Sequence, residues 1–194
     1  MRLQSRDPFK VRGTGGAADN GSANPTMLSL PPRQGKRPRV SRHPVPHRVL
    51  DRPPPEALRQ AVQQILDDLA IQHAPATEFR TSLWEKNNRA LFLRRESCSA
   101  QSDGHNGPAR EVGHIHPSDA SMHVTLAPGD AQKVIDLGWG QLHALAGGKQ
   151  GLPATYTLLY PPRCDADLAP IRAILTAAVH HASEVLRIGE STRP

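Results

Sequence analysis

Four histidines and one aspartate have the types and spacing to do chemistry: His114, His116, His123, His143 and Asp119. Residues two apart on a strand project from one face, so His114 and His116 point together, and a returning strand sets His123 against them across a hairpin. Asp119 lies in the intervening turn and can swing in. His143 follows Gly138-Trp139-Gly140, whose glycines allow a flexible approach to the same pocket. Glu111 is one pleat out of phase with His114 and points away unless the strand is bulged. An H-x-H pair with a third histidine is the ligand set of many zinc, iron and copper sites, which makes His114, His116 and His123 the candidate metal ligands. Imidazole beside a carboxylate is equally the common acid/base kit near neutral pH. The plainer alternative, in a chain with 10 histidines, is that some of these are surface or satisfied core residues. His180 and His181, near the carboxyl end, and His43 and His47, near the amino end, read as structural or solvated.

Other chemistries find less support. Gly138-Trp139-Gly140 either aims a rigid ring at a ligand or ends a helix over the core. No G-x-G-x-x-G or G-x-x-x-x-G-K-[ST] pattern makes a nucleotide cradle, and no G-x-S-x-G elbow supports a hydrolase, which would rest on Ser118 or Ser121. The two cysteines, Cys98 and Cys164, lack a CxxC partner and are expected to be free thiols in a reducing compartment. The opening residues lack a signal-peptide apolar run, and no 18-residue apolar stretch is present, so the cytosol is the expected location.

The elements that must position these side chains follow from periodicity. After Pro53-Pro54-Pro55, apolar residues from Leu58 to Leu69 step by three and four, a helix docked by one stripe. Phe79 to Arg95 holds two apolar runs around Lys86-Asn87-Asn88, read as a hairpin whose asparagines tolerate positive φ. Ser97 to Pro108 is a polar loop; strands follow at 110–116 and 121–127. A short helix opens at Pro128-Gly129-Asp130 and stops at Gly138. A strand at 152–160 leads to a last helix that Asp165 or Asp167 can cap. This order predicts an α+β fold: a single small domain with an antiparallel sheet, an amino-terminal helix, a short central helix and a carboxy-terminal helix.

Charge divides the chain in the same place. Up to Pro53 there are 11 Lys+Arg against three Asp, a net +8, and the remainder carries −2 of the total +6. Residues 1–53 therefore read as a basic, mostly irregular Pro/Gly/Arg-rich arm, 54–188 as the domain, and 189–194 as a flexible end. A basic arm can neutralise phosphates. This one has only Phe9 for base stacking and no reading helix after it, so nucleic acid is not the expected partner.

Taken in order, Arg110-Glu111-Val112-Gly113-His114-Ile115-His116, Ser121-Met122-His123-Val124, Gly138 through Gly147 and Leu159-Tyr160-Pro161-Pro162-Arg163 resemble the luciferase-domain family. The resemblance covers residues 110 to 182 well and reaches back more weakly to Leu30 through Pro38, so about 30–50 of the arm is expected to pack on the domain. It implies an oxygen-dependent reaction on an electron-rich hydroxypyrone, 3-hydroxyhispidin in the fungal members, with no flavin or nicotinamide and molecular oxygen as co-substrate. The family's histidines map onto His114, His116, His123 and His143, the expected catalytic residues. Trp139, Asp119, Tyr160 and Arg163 are the expected substrate-binding residues. By this resemblance the turn between His116 and His123 is one residue shorter than in the family, and an amino-terminal apolar anchor like that of the fungal proteins is not expected.

Two readings follow. In the first, an imidazole deprotonates an enol and the anion reacts with oxygen, with His114 and His116 as base and orienter. In the second, a small-ligand-binding or protein-interaction module keeps the scaffold without turnover.

Overall fold

The computed structural model describes residues 28–43, 45–94 and 110–191, with side chains to Glu184. The loop expected at Ser97–Pro108, Cys98, residues 1–27 of the arm and residues 192–194 lie outside them. Helix α1 (Glu56–Gln72) starts against Pro55, whose carbonyl takes the Leu58 amide at 3.0 Å. Its stripe Leu58, Val62, Ile65, Leu66 and Leu69 is buried. Six strands follow: β1 (Thr77–Thr81), β2 (Arg89–Leu93), β3 (Glu111–Ile115), β4 (Met122–Thr125), β5 (Gly140–Leu142) and β6 (Tyr156–Leu159). Helix α2 (Pro128–Asp136) separates β4 from β5, and α3 (Leu168–Ser191) closes the chain after a 3-10 turn at Asp165–Asp167. All pairings are antiparallel, in the order β1-β2-β3-β4-β6-β5. This is the expected single α+β domain.

Alternation divides the sheet into two faces. Leu91, Val112, Met122, Val124 and Leu159 pack with α1 and α3 into the main core. The opposite face carries His114 paired with His123, and His123 paired with Leu158. The described part of the arm covers that second face. Val40 bridges Val49, and Val49 packs on Leu158 and Tyr160. The arm is pinned where the Trp139 indole N–H donates to the Pro31 carbonyl (2.7 Å) and the Arg33 amide donates to the Leu137 carbonyl (2.8 Å).

Three local expectations change. In the hairpin turn it is Lys86, not an asparagine, that takes positive φ (56°), because the turn closes through its amide on the Ser82 carbonyl (3.0 Å). The segment after Gly138 is not a flexible approach but strand β5, in which a Cβ on Gly140 would lie 2.5 Å from the Leu158 carbonyl oxygen. Helix α3 continues to Ser191, past the expected domain end at 188. Among the described residues no helix is long and apolar enough to cross a membrane.

Gly113 faces Val124 where β3 meets β4, and a Cβ there would lie 2.5 Å from the His123 carbonyl oxygen and 2.7 Å from Val124 Cγ1. Backbone cannot give way as a flexible side chain does. Overpacking of this kind costs about 1–3 kcal/mol, so Gly113→Ala should lower the thermal midpoint by roughly 2–10 °C. An unchanged midpoint in calorimetry would show that the strands separate freely here.

Candidate functional site

The histidine face is built on a β-bulge. Ala90 pairs with His114 and Leu91 with Gly113, but Phe92 pairs with Glu111, so β3 carries one residue more than β2 across this step. The extra residue returns Glu111 to the phase of His114, the one circumstance in which sequence alternation brings it inward. Its carboxylate then accepts the His114 Nδ1–H (2.8 Å) and the Ser82 hydroxyl (2.8 Å) on Oε1, and the Leu83 amide (2.8 Å) on Oε2.

A second carboxylate orients the second ring. Asp119 Oδ1 accepts the Ser121 amide (3.0 Å) and hydroxyl (2.9 Å), and Oδ2 accepts the Val49 amide (3.2 Å). The Ser121 hydroxyl proton is thereby committed, and its oxygen accepts His116 Nδ1–H at 2.7 Å. Both rings hold their proton on Nδ1, and both Nε2 atoms carry bare lone pairs. These two atoms face each other at 3.3 Å. His123 Nδ1 stands 3.4 Å from His114 Nε2. Three imidazoles, each no more than 1 % exposed, thus converge on one point.

Two further groups complete the cluster, and sequence reasoning did not find either. Glu85, in the β1–β2 turn, brings Oε1 to 3.8 Å from His116 Nε2, 3.9 Å from His114 Nε2 and 4.0 Å from His123 Nδ1. It is gripped by both terminal nitrogens of Arg48. Burial pushes the Glu85 carboxyl up, but the Arg48 bonds and charge prevail and hold it below the ordinary carboxylate value. His47, expected to be structural or solvated, is buried: its Nδ1 lies 3.3 Å from His123 Nε2 and its Nε2 3.4 Å from the Gln141 amide. Arm composition concealed it, since no apolar period marks the residues that press it against the sheet.

The remaining expected residues divide. His143 joins a neighbouring trio with His47 and His123, its ring 4.5 Å from that of His47, and its Nδ1 accepts the Leu145 amide. Tyr160 donates to Gln141 (3.0 Å) and so stands behind His47. Trp139 packs in the helix-side core and ties down the arm, and Arg163 is an exposed partner of Asp167, so neither is brought to the imidazoles. Tyr156 was not anticipated: its ring stacks on His123 (5.0 Å between centroids), and its buried hydroxyl meets no hydrogen-bond partner among the described residues. Burial first, then the fields of Glu111 and Glu85, raise this phenol well above its ordinary value. A cavity of about 760 Å³, lined by basic residues that include Arg33, Arg59 and Arg163, opens beside Val49 rather than at the imidazoles.

Three of the imidazoles are held neutral by their surroundings. Burial, then Arg48 and the adjacent imidazoles, depress His116 to about 2; burial, then His143 and Arg48, depress His47 to about 4; His123 lies well below its usual value, by burial and then its neighbours. Unfolded imidazoles take up protons near pH 6.5, so below that pH the unfolded chain binds more protons than the fold. Stability is full above about pH 6.5 and falls as the pH drops toward about 4. In chelator-containing buffer the urea midpoint should therefore decline between about pH 7.5 and about pH 4.5, and His47→Gln should decline less. Equal slopes for the two proteins would remove His47 from the account.

Residues 109–178, which span β3 to β6 and all four expected histidines, match the family model described as the luciferase domain. The chain is 32% identical over 164 residues to a luciferase of Armillaria gallica, 31% to one of Armillaria mellea and 30% to one of Neonothopanus nambi. Each match covers 79% of this chain and 61% of the relative, so the chain spans about three fifths of the length of these proteins. No solved structure matches it significantly. Residues 109–178 thus match the luciferase domain, and 79% of the chain is similar to fungal luciferases.

Proposed function

We propose that the protein carries out a luciferase-like, oxygen-dependent oxidation of a small electron-rich substrate of the hydroxypyrone class at the histidine cluster, using molecular oxygen as co-substrate. The observation that supports this reading most is the convergence of His114 Nε2 and His116 Nε2, unprotonated and 3.3 Å apart, in a buried site. There His114 Nε2, whose ring is backed by Glu111 on Nδ1, would take the proton from an enol O–H, and His116 would orient that O–H. The enolate carbon then donates an electron pair to oxygen, a C–O bond forms, the substrate loses two electrons, and oxygen is reduced to the peroxide level. Water exclusion protects the intermediate. His123 and His143 would hold the substrate ring, and the unpartnered Tyr156 hydroxyl would donate to a substrate oxygen.

Closure of the cluster is the observation that favours a binding module instead: the imidazoles are 0–5% exposed and the open cavity is elsewhere. Oxygen uptake with simultaneous photon counting separates the two readings when purified protein meets 3-hydroxyhispidin and related hydroxypyrones. Uptake that disappears in His114→Ala/His116→Ala supports oxidation at this site; ligands that raise the thermal midpoint without being consumed support the module. Tyr156→Phe gives a finer check. It breaks no hydrogen bond among the described residues, so the midpoint should move by less than about 2 °C while kcat/KM falls roughly tenfold. Unchanged kcat/KM would remove Tyr156 from substrate binding.

A further inference from the structure

Two bare Nε2 lone pairs 3.3 Å apart repel each other unless something positive lies between them. The ring protons are committed to the far sides of the rings, on Glu111 and on Ser121. We propose that Glu85, His114, His116 and His123 form a binding site for one divalent first-row transition-metal ion.

Distances support the assignment. Imidazole nitrogens 2.0–2.1 Å from a tetrahedral ion are separated by roughly 3.3–3.4 Å, and the cluster shows 3.3 Å between His116 and His114 and 3.4 Å between His114 and His123. All four donor atoms lie within 4.8 Å of one another. Glu85 Oε1 stands nearly equidistant from the three nitrogens, at 3.8–4.0 Å, over the fourth vertex and farther out than the tetrahedral length. Oε1 accepts one bond from Arg48 and keeps a second lone pair.

Every ligand has its own orienting partner, the pattern that fixes tautomer and ring angle in metal sites. Glu111 holds His114, Ser121 with Asp119 behind it holds His116, His47 takes the far nitrogen of His123, and Arg48 holds Glu85. Three imidazoles and one carboxylate suit zinc, manganese, iron or cobalt, and Lewis acidity is the chemistry such an ion supplies. The neighbouring trio of His47, His123 and His143 has no carboxylate, and there His143 Nδ1 already accepts the Leu145 amide. The proposal rests on the site of the oxidation reading and changes one role in it. With an ion bound, the Nε2 lone pairs of His114 and His116 would be ligands, and Lewis acidity rather than imidazole would acidify the enol. Its test needs no turnover.

That test is metal titration of the untagged full chain after chelator dialysis, with Co²⁺ followed by visible absorption and Zn²⁺ by competition with a chromophoric chelator. One equivalent should bind, with Kd below about 1 μM. His116→Ala should weaken it at least about 100-fold and Ser121→Ala roughly tenfold. Glu85→Gln, a change in a surface turn that leaves the core intact, should weaken it and alter the Co²⁺ spectrum. His73→Ala, in the separate His73–His180 pair, should change nothing. The proposal fails if no saturable equivalent binds. It fails equally if the equivalent survives His116→Ala and Glu85→Gln but is lost in His143→Ala, which would place the ion in the neighbouring trio. Metal binding without oxygen uptake would leave this site standing and remove the oxidation reading alone.

Discussion

Packing several imidazoles side by side in a dry interior is the constraint on which the rest of this structure depends. Each neutral ring has one donor and one acceptor, and a buried polar atom without a partner is costly. The fold meets the constraint by giving the inner rings carboxylates on their outward nitrogens, Glu111 directly and Asp119 through Ser121. The β-bulge in β3 exists in this arrangement for one purpose: without the extra residue Glu111 would face α3, and the proton on His114 would have no fixed side.

The arm extends the same logic. Its composition is that of a solvated tail, yet its Arg48 fixes Glu85 and its His47 backs His123. An irregular segment can perform these tasks only if it is held at several points. The Val49 amide binds Asp119, the Pro31 carbonyl takes the Trp139 indole, and Arg33 donates to the Pro161 carbonyl. Trp139 therefore bears on the site from a distance, through the strap it anchors. Part of the arm's positive charge serves backbone carbonyls and the half-buried Glu85 carboxylate, uses that net charge alone cannot reveal.

Periodicity made most of the fold legible. The α1 stripe, the hairpins and the short central helix are one-dimensional patterns, and His114, His116 and His123 share a face because alternation says so. Glu85 and His47 were not legible for a shared reason. Each is brought in by chain that has no period, a turn closed around Ser82 and an arm held by scattered hydrogen bonds, and only three-dimensional contacts assign them. Trp139 and Arg163 lie away from the imidazoles for a related reason. Standing beside glycines or prolines makes a residue conspicuous without saying which side of the sheet it meets.

The depressed imidazole pKa values and the convergent lone pairs have one physical origin. Desolvation penalises an isolated imidazolium, and each neighbouring ring that would also charge adds repulsion, so protons are turned away from His116 and His123 at neutral pH. A single divalent ion meets a different balance, because one charge serves three nitrogens at once and a carboxylate, already ionised under Arg48, stands on the exposed side to neutralise part of it. Refusal of protons and affinity for a shared cation are thus properties of the same arrangement. Glu85, the partly exposed member of the set, marks the side from which an ion, oxygen or a substrate oxygen can approach it.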